Sequence, residues 1–454
     1  MSVGRVLRRL TYYLGAYHKA RLFRRGLAES RATDRWTEVE IRAYHDRRLV
    51  ALVRDAATNI PFYRELYERA GVAVARFRGV ADLPRLPTIT KADLLRHGPQ
   101  MIRPGVSELR IVRHTTGGST GTIATLASQR GIASYENGCI YALWSRIGVR
   151  RGDRIVTLRG ALLDGGRRLY QRDLLENRLT ISTYHLKDET VDEIVQLIDE
   201  FGPRWLHVYP SALTLLANIL QRTGRRLTVT PQGILCGSEA VYPWQLEMFR
   251  AVFGCRVYSH YGHGELALLG GWCEGAETYH FLPNHGYLEL LDDDGRPVIE
   301  PGQTGEITGT GYINWVMPLI RYRTGDYGAW DAPGPCPACG RAHQRLARID
   351  GRGQEYLTLA DGTKFPLTNI NALHGMFFAH IYRFQFLQDV PGRATLRVVP
   401  AVELTPQRLA EIRAAFSYLG PLGLELDIQP VAEIPLTRSG KQRLVVTSED
   451  LARG

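Results

Sequence analysis

A chain of 454 residues, 44% hydrophobic and 23% charged, holds enough apolar material for one large domain plus a smaller one, and is not a disordered or fibrous protein. No apolar run approaches the roughly 20 residues of a membrane span, no signal-peptide core opens the chain, and six cysteines are too few for a disulfide framework, so a reducing cytoplasm is expected. The net charge of +11 comes with no nucleic-acid-binding module, so nucleic acid is not an expected partner.

The first 35 residues carry Arg5, Arg8, Arg9, Lys19, Arg21, Arg24, Arg25, Arg31 and Arg35 against only Glu29 and Asp34. Val6, Leu7, Leu10, Leu14, Tyr17 and Leu22 fall on one face of a helix. Such a helix either docks on the main domain with a solvated basic face, the commoner use, or makes peripheral contact with an anionic membrane. Arg35 to Arg69 predicts helices broken at Asn59-Ile60-Pro61-Phe62-Tyr63. The prolines of Leu83-Pro84-Arg85-Leu86-Pro87 predict an extended stretch, and Thr90 an N-cap.

The apolar Leu109-Arg110-Ile111-Val112 then runs into His114-Thr115-Thr116-Gly117-Gly118-Ser119-Thr120-Gly121-Thr122, where three glycines and five hydroxyl side chains share nine positions. A strand breaking into such a loop can turn backbone N–H groups and hydroxyls toward a phosphate. No Gly-Lys-Ser/Thr follows, so this is not a Walker A loop. A solvated turn has the same composition, so the loop's meaning depends on what lies further along.

From Leu109 to Cys255 short apolar runs (Arg154–Leu158, Trp205–Val208, Gly233–Cys236) alternate with helical patterns (Ser134–Ser145, Thr190–Phe201, Ser211–Arg222, Pro243–Phe253). That alternation predicts an α/β fold: mostly parallel strands flanked by helices. Tyr287–Leu291 and Thr304–Thr310, joined by turn residues, predict a small antiparallel region. Tyr382–Leu387, Ala394–Val399 and Leu424–Pro430 with the helix Thr405–Phe416 predict a small α+β C-terminal domain. The expected division is 1–348 for a large N-terminal domain and 349–454 for a small C-terminal one.

Four further stretches need explaining: Gly237-Ser238-Glu239-Ala240 ends a predicted strand, Ser259-His260-Tyr261-Gly262-His263-Gly264-Glu265 follows a short one, Arg321-Tyr322-Arg323-Thr324-Gly325-Asp326 follows the antiparallel region, and Leu436-Thr437-Arg438-Ser439-Gly440-Lys441 lies almost at the C-terminus. Loops at strand ends converge on one ligand site in open α/β sheets. Together they supply what an ATP site needs: Glu265 for Mg²⁺, Asp326 for ribose hydroxyls, Tyr261 for adenine, and Lys441 for phosphate charge. Glu239 reads either as a pocket carboxylate or as a helix cap. Tyr141, Trp144, Trp205, Tyr209 and His260 are aromatic candidates for the acid pocket, though packing is the commoner role of such residues.

The ordered set TTGGSTGT, GSEA, YGHGE, YRTGD and TRSGK resembles the adenylate-forming superfamily of acyl-CoA synthetases and adenylation domains. NIPFYRELYERAG with LPRLPTITKADL looks like its phenylacetate-CoA ligase branch, which includes capsule-locus proteins. The resemblance spans about residues 40 to 445 and implies two half-reactions. A small carboxylic acid attacks the ATP α-phosphate to give an acyl-adenylate and pyrophosphate, and CoA, or else an amine or hydroxyl acceptor, then displaces AMP. It implies that Thr115, Thr116, Gly117, Gly118, Ser119, Thr120, Gly121 and Thr122 cradle phosphates. Gly237, Ser238, Glu239, Tyr261, Asp326 and Arg352 contact the nucleotide, and Glu265 holds Mg²⁺. Lys441 acts in the first half-reaction and swings away before the second. An amide or ester ligase of polysaccharide or natural-product assembly and a non-catalytic nucleotide-binding relative are the alternatives, and a homodimer stays open.

Two departures stand out. Thr122-Ile123-Ala124 replaces the usual Pro-Lys after the loop. At the hinge, Asp350-Gly351-Arg352-Gly353-Gln354 places Gln354 where the family is acidic, which bears on the acceptor step. Apart from nucleotide chemistry, Cys336-Pro337-Ala338-Cys339-Gly340 has the form of a zinc knuckle. Cys273 and His280, six residues between them, would complete a structural Cys₃His zinc site, with His285 and His343 as spare candidates. Some members of the resembled branch carry such a zinc. An unmetallated pair of loop thiols is the alternative. Cys139, Cys236 and Cys255 sit in apolar runs and are expected to be buried thiols.

Overall fold

The computed structural model describes residues 3–115, 124–160, 163–352, 356–367, 370, 380–436 and 442–452. These divide into two compact units, the first built from described residues of 3–150 and 260–349, the second from 151–259 and 350–452.

The first unit opens with the basic helix α1 (Val3–Thr33). A capping box between Thr37 and Glu40 starts α2 (Glu38–Asn59), Ile60 separates it from α3 (Pro61–Arg69), and a second box, between Thr90 and Asp93, starts α4 (Lys91–His97). β1 (Ile111–Thr115) and β2 (Thr125–Gln129) pair antiparallel, and α5 (Ile132–Ser145) follows. The stretch after β1 therefore joins two strands of a hairpin, where the sequence had suggested a strand leading on to a helix.

α1 docks on α5, and the face it uses differs from the expected one. Tyr17 is 64% exposed, whereas Phe23, Gly26, Ser30 and Thr33, spaced three to four apart, are buried. The two helices cross at glycines. A Cβ on Gly26 would lie 2.1 Å from the Tyr135 carbonyl oxygen, and one on Gly138 would lie 2.1 Å from that of Phe23. No larger residue allows so close an approach.

The second unit begins with β3 (Ile155–Leu158), β4 (Tyr170–Asp173), β5 (Arg178–Ile181), α6 (Val191–Phe201), β6 (Trp205–Val208), α7 (Pro210–Thr223), β7 (Gly233–Gly237) and α8 (Pro243–Phe253). The strands lie in the order β7-β6-β3-β5-β4, parallel except for the β4 edge. Every residue of β3, β6 and β7 is buried, as a parallel sheet covered on both faces requires. α7 buries ten of its fourteen residues, so it is enclosed on more than one side.

The chain then runs through β8 (Arg256–Gly262) and returns to the first unit with β9 (Leu269–Trp272), β10 (Tyr279–Phe281), β11 (Gly286–Leu291), β12 (Thr304–Gly311), β13 (Tyr322–Trp330) and β14 (Arg345–Arg352). These follow the order β11-β12-β13-β14-β10-β9-β8, and the pairs β11–β12, β12–β13, β14–β10, β10–β9 and β9–β8 are antiparallel. This antiparallel region is larger than the sequence suggested.

The C-terminal part of the second unit holds β15 (Tyr356–Thr358), β16 (Lys364–Pro366), β17 (Ile381–Val390), β18 (Arg393–Pro400), α9 (Pro406–Phe416), β19 (Glu425–Pro430) and β20 (Val445–Val446). The sheet β19-β18-β17-β20 is mixed. Its core residues Phe384, Phe386, Leu396, Ile412 and Phe416 cluster with Tyr242 and Trp244 at the start of α8. Among the described residues no helix is long and apolar enough to cross a membrane.

Candidate active site

The YRTGD stretch lies on β13, and distant N-terminal residues hold its start. The Tyr63 hydroxyl, fully buried, donates to the Pro318 carbonyl at 2.8 Å and accepts from Ile320 N at 3.1 Å. Ile89 N donates to the Arg321 carbonyl at 3.1 Å, and Arg323 N to the Ile89 carbonyl at 2.9 Å. Arg321 has φ +52° and grips buried Glu289 through Nε and Nη2 at 3.0–3.2 Å. The segments NIPFYR and LPTIT thus act as a buttress for the strand that carries Asp326.

Asp326 is 8% exposed and accepts a 2.7 Å hydrogen bond from the Tyr261 hydroxyl. Burial, then the Asp326 carboxylate, push the Tyr261 phenol well above its ordinary range, so it remains an O–H donor. Asp326 N donates to Thr324 Oγ1 at 3.1 Å, and Thr324 Oγ1 to the Ile307 carbonyl at 2.7 Å, which fixes the turn. The Tyr261 ring packs against His263 and Phe281, with centroids 5.8 Å away in each case.

Glu265 is buried between two donors. His263 Nδ1 lies 3.1 Å from its Oε2, and the Tyr322 hydroxyl donates to its Oε1 at 3.2 Å. Leu266, the next residue, has φ +61°, a conformation costly for a branched side chain and usually kept where function demands it. Tyr261 and Tyr322 therefore tie YGHGE, at the end of β8, to YRTGD on β13. His114, on the strand leading into the glycine loop, places Nε2 3.0 Å from the Gly264 carbonyl.

In the second unit Gly237 ends β7 and Ser238 takes φ +69°. Ser238 Oγ accepts from Arg159 Nη2 at 2.7 Å, and Arg159 Nη1 lies 3.0 Å from His207 Nε2. Glu239 receives Ser211 N at 2.9 Å and Ser211 Oγ at 3.0 Å, at the N-terminus of α7. Glu239 thus caps α7, where the helix dipole favours a carboxylate, and it also lines a cavity with Tyr242 and Trp244. Thr115 is exposed at the end of β1. Thr116, Gly117, Gly118, Ser119, Thr120, Gly121, Thr122, Gln354 and Lys441 lie outside the described residues, as does the side chain of Arg352 at the end of β14.

The cysteines fall into two sets. Cys139 and Cys236 are buried, and Cys255, expected to be, is only half-buried. Cys273, His280, Cys336 and Cys339 come together in the first unit, their ligand atoms all within 4.8 Å of one another. Cys273 Sγ and Cys336 Sγ lie 4.0 Å apart, and Cys339 Sγ and His280 Nε2 3.8 Å. Four ligands held tetrahedrally at ordinary zinc bond lengths would be roughly 3.5–3.8 Å apart, so the cluster fits zinc after a slight contraction. Gly340 N donates to the Cys336 carbonyl at 2.7 Å and Gly275 N to Cys273 Sγ at 3.3 Å. Burial keeps His280 neutral, with its pKa lowered to about 2, as a metal-ligating imidazole must be.

Comparison with known proteins bears directly on these motifs. A family model described as AMP-binding enzyme matches residues 177–318. The phenylacetate-coenzyme A ligase of Pseudomonas putida is 26% identical over 79% of this chain and 82% of its own length. Protein CapK of Staphylococcus aureus is 22% identical over 86% of this chain and 85% of its own. Among solved structures, a 2-hydroxyisobutyryl-CoA ligase shares the fold with a TM-score of 0.69 at 20% identity, over 90% of this chain and 91% of that one. Residues 177–318 thus match the AMP-binding enzyme family, and over most of its length the chain is similar to phenylacetate-coenzyme A ligases.

Two residues near the motifs carried no sequence signal beyond their position. Arg159 follows the last residue of β3, at a strand end where ligand sites gather. Burial lowers its pKa, opposed by Tyr209. Glu136 on α5 shares a helical stripe with Ile140 and Trp144, and the Trp144 ring meets His260 edge-on at 5.7 Å. Burial, opposed by His263, pushes the Glu136 carboxyl up from 4.5 to about 7. The folded chain holds this proton more tightly than the unfolded one. The contribution of this group to stability is therefore fully present below pH 4.5 and is lost as pH rises through about 7. Glu136→Gln is expected to match the wild type at low pH and to melt at a higher temperature near about pH 8, in thermal melts across the pH range. A variant less stable at high pH would mean that the carboxylate is paired.

Proposed function

We propose that the protein activates a carboxylic acid with ATP and then transfers the acyl group to CoA. In the first step a carboxylate oxygen attacks the α-phosphorus, the bond to pyrophosphate breaks, and an acyl-adenylate forms. In the second the CoA thiolate attacks the acyl carbonyl, a thioester forms, and AMP leaves. The observation that carries this reading is the joined arrangement of Tyr261, His263, Glu265, Tyr322 and Asp326, with the remaining family motifs in their family order.

Asp326, already an acceptor for Tyr261, is assigned to the ribose hydroxyls, and the aromatic face of Tyr261 to the adenine of the same nucleotide. Glu265 is assigned to Mg²⁺, which would neutralise charge on the triphosphate when bound. Thr115–Thr122 is assigned to the phosphates, and Gly237 and Ser238 to the nucleotide, with Glu239 anchoring that turn through Ser211. Arg352 and Gln354 are assigned to the hinge of a C-terminal domain, 349–454, that carries Lys441. Cys273, His280, Cys336 and Cys339 are assigned to a structural zinc, since four protein ligands leave no open position for chemistry. The setting is the cytoplasm, where the free thiols stay reduced.

The test is a panel of acids in ATP–pyrophosphate exchange, repeated with and without CoA. One acid should support exchange, and CoA should accelerate AMP formation and yield an acyl thioester. If the adenylate forms and only an amine or hydroxyl accelerates AMP release, the acceptor assignment is wrong. The specific observation behind that second reading is Gln354 at the hinge, so Gln354→Asp should then raise CoA transfer.

A further inference from the structure

The structure assigns a second ligand site to the first unit: a cavity of about 910 Å³ at the base of the β1–β2 hairpin, shaped for an amphipathic phosphate monoester. Its walls come from α1, α2, the start of α5 and the loop after β12. Its volume lies in the range of small-molecule pockets.

The position separates it from the proposed nucleotide chemistry. Leu109, Arg110 and Gln129 to Gly131 at the hairpin base line the cavity, whereas the glycine loop leaves from the other end, at the Thr115–Thr125 pair. Four residue steps separate the Ile111–Gln129 pair from that end, or about 13 Å at strand spacing. Tyr261, Glu265 and Asp326 are not among its lining residues.

Charge sets the head group. Arg25, Arg48, Arg110 and Arg130 line the cavity with one carboxylate, Glu29. That carboxylate is already committed, to Arg25 Nε at 2.7 Å and to the Tyr135 hydroxyl at 2.6 Å. Arg48 and Arg130 donate to main-chain carbonyls, of Tyr312 at 2.9 Å and of Leu109 at 3.0 Å, which orient a guanidinium without neutralising it. A wall with three cations beyond its one ion pair suits a dianionic head, and arginine forks match phosphate oxygens.

The remaining wall sets the body. Trp36 and Tyr44 pack with ring centroids 4.9 Å apart, and Arg48 stands 5.2 Å over the Tyr312 ring. Trp315 is 40% exposed, with Arg103 5.9 Å over it. These rings give flat apolar surface beside the cations, which an inorganic phosphate would leave unused. An aromatic or alkyl body on the phosphate would cover it. Such a head occurs both on a free phosphate ester and on an anionic lipid.

The test uses dodecyl phosphate, followed by calorimetry and tryptophan fluorescence, alongside vesicles of phosphatidic acid and of phosphatidylcholine. Saturable dodecyl phosphate binding is expected, and Arg110→Gln with Arg130→Gln should weaken it at least about tenfold, the scale of losing charged hydrogen bonds. Acid-dependent pyrophosphate exchange should be unchanged in that variant. Trp315→Ser, at an exposed ring, should weaken binding without touching the cations. Binding to phosphatidic acid vesicles alone would still support the site and name a membrane lipid as the source. No saturable binding to either, equal affinity in the arginine variant, or displacement by ATP would overturn the proposal.

Discussion

Replacing Cys336 by serine is expected to remove about one zinc per chain, the stoichiometry of a Cys₃His site, and to destabilise the first unit by several kcal/mol. Cys273 follows β9 and His280 lies on β10, while Cys336 and Cys339 lie between β13 and β14. The metal would therefore tie the β9–β10 hairpin to a loop more than fifty residues further on. Structural zinc contributes about 10–16 kcal/mol of apparent binding free energy in small fingers, against a total stability of about 5–15 kcal/mol for an ordinary domain. β10 also pairs with β14, and Tyr279 and Leu346 are buried there, so part of the hairpin's anchorage does not depend on metal. The loss should be large without being complete. Metal analysis and thermal melts check it, with a chelator reproducing the effect in the wild type and not in the variant. Reduced, chelator-free protein that carries no zinc would leave the cluster a set of buried thiols.

Chemistry and fold were legible in the sequence to different degrees, for physical reasons. β3, β6 and β7 are apolar at most positions because both faces of the sheet are buried, and such runs are easily recognised. β4 is exposed at all four positions, so it has no apolar signature at all. β2, Thr125-Leu126-Ala127-Ser128-Gln129, is largely buried but carries small and polar residues, so it has no apolar signature either. The cluster of Cys273, His280, Cys336 and Cys339 was legible because a Cys-x-x-Cys spacing is short and the other two residues belong to one hairpin. The supports of the nucleotide motifs were not. The Tyr63 contact with Ile320 spans 257 positions and the Arg321 pair with Glu289 spans 32, and no local pattern announces either. The docked stripe of α1 was not read in the sequence because it contains Gly26, Ser30 and Thr33, whose burial follows from the close glycine crossing rather than from hydrophobicity.

Lys441→Ala should slow adenylate formation by roughly 10²–10³, about 3–4 kcal/mol, the usual loss for one preorganised electrostatic contact. Lys441 itself lies outside the described residues, but the chain just after it is fixed. Gln442 Nε2 donates to the Phe384 carbonyl at 2.5 Å and Phe386 N to the Leu444 carbonyl at 2.7 Å, both on β17. The segment that follows the lysine is thus paired to the C-terminal sheet. In the first half-reaction negative charge builds between the attacking carboxylate and the α-phosphate oxygens. An ammonium at that point stabilises the transition state more than the ground state, and only such a difference raises the rate. ATP affinity should change less, because Asp326 and Glu265 belong to the first unit and are held by Tyr261, Tyr322 and His263. Transfer from a preformed adenylate to the acceptor should stay near the wild-type rate if the sheet carries Lys441 away between the steps. Stopped-flow measurement of each half-reaction separates these outcomes. Equal slowing of both would show that Lys441 supports the C-terminal fold rather than the transition state.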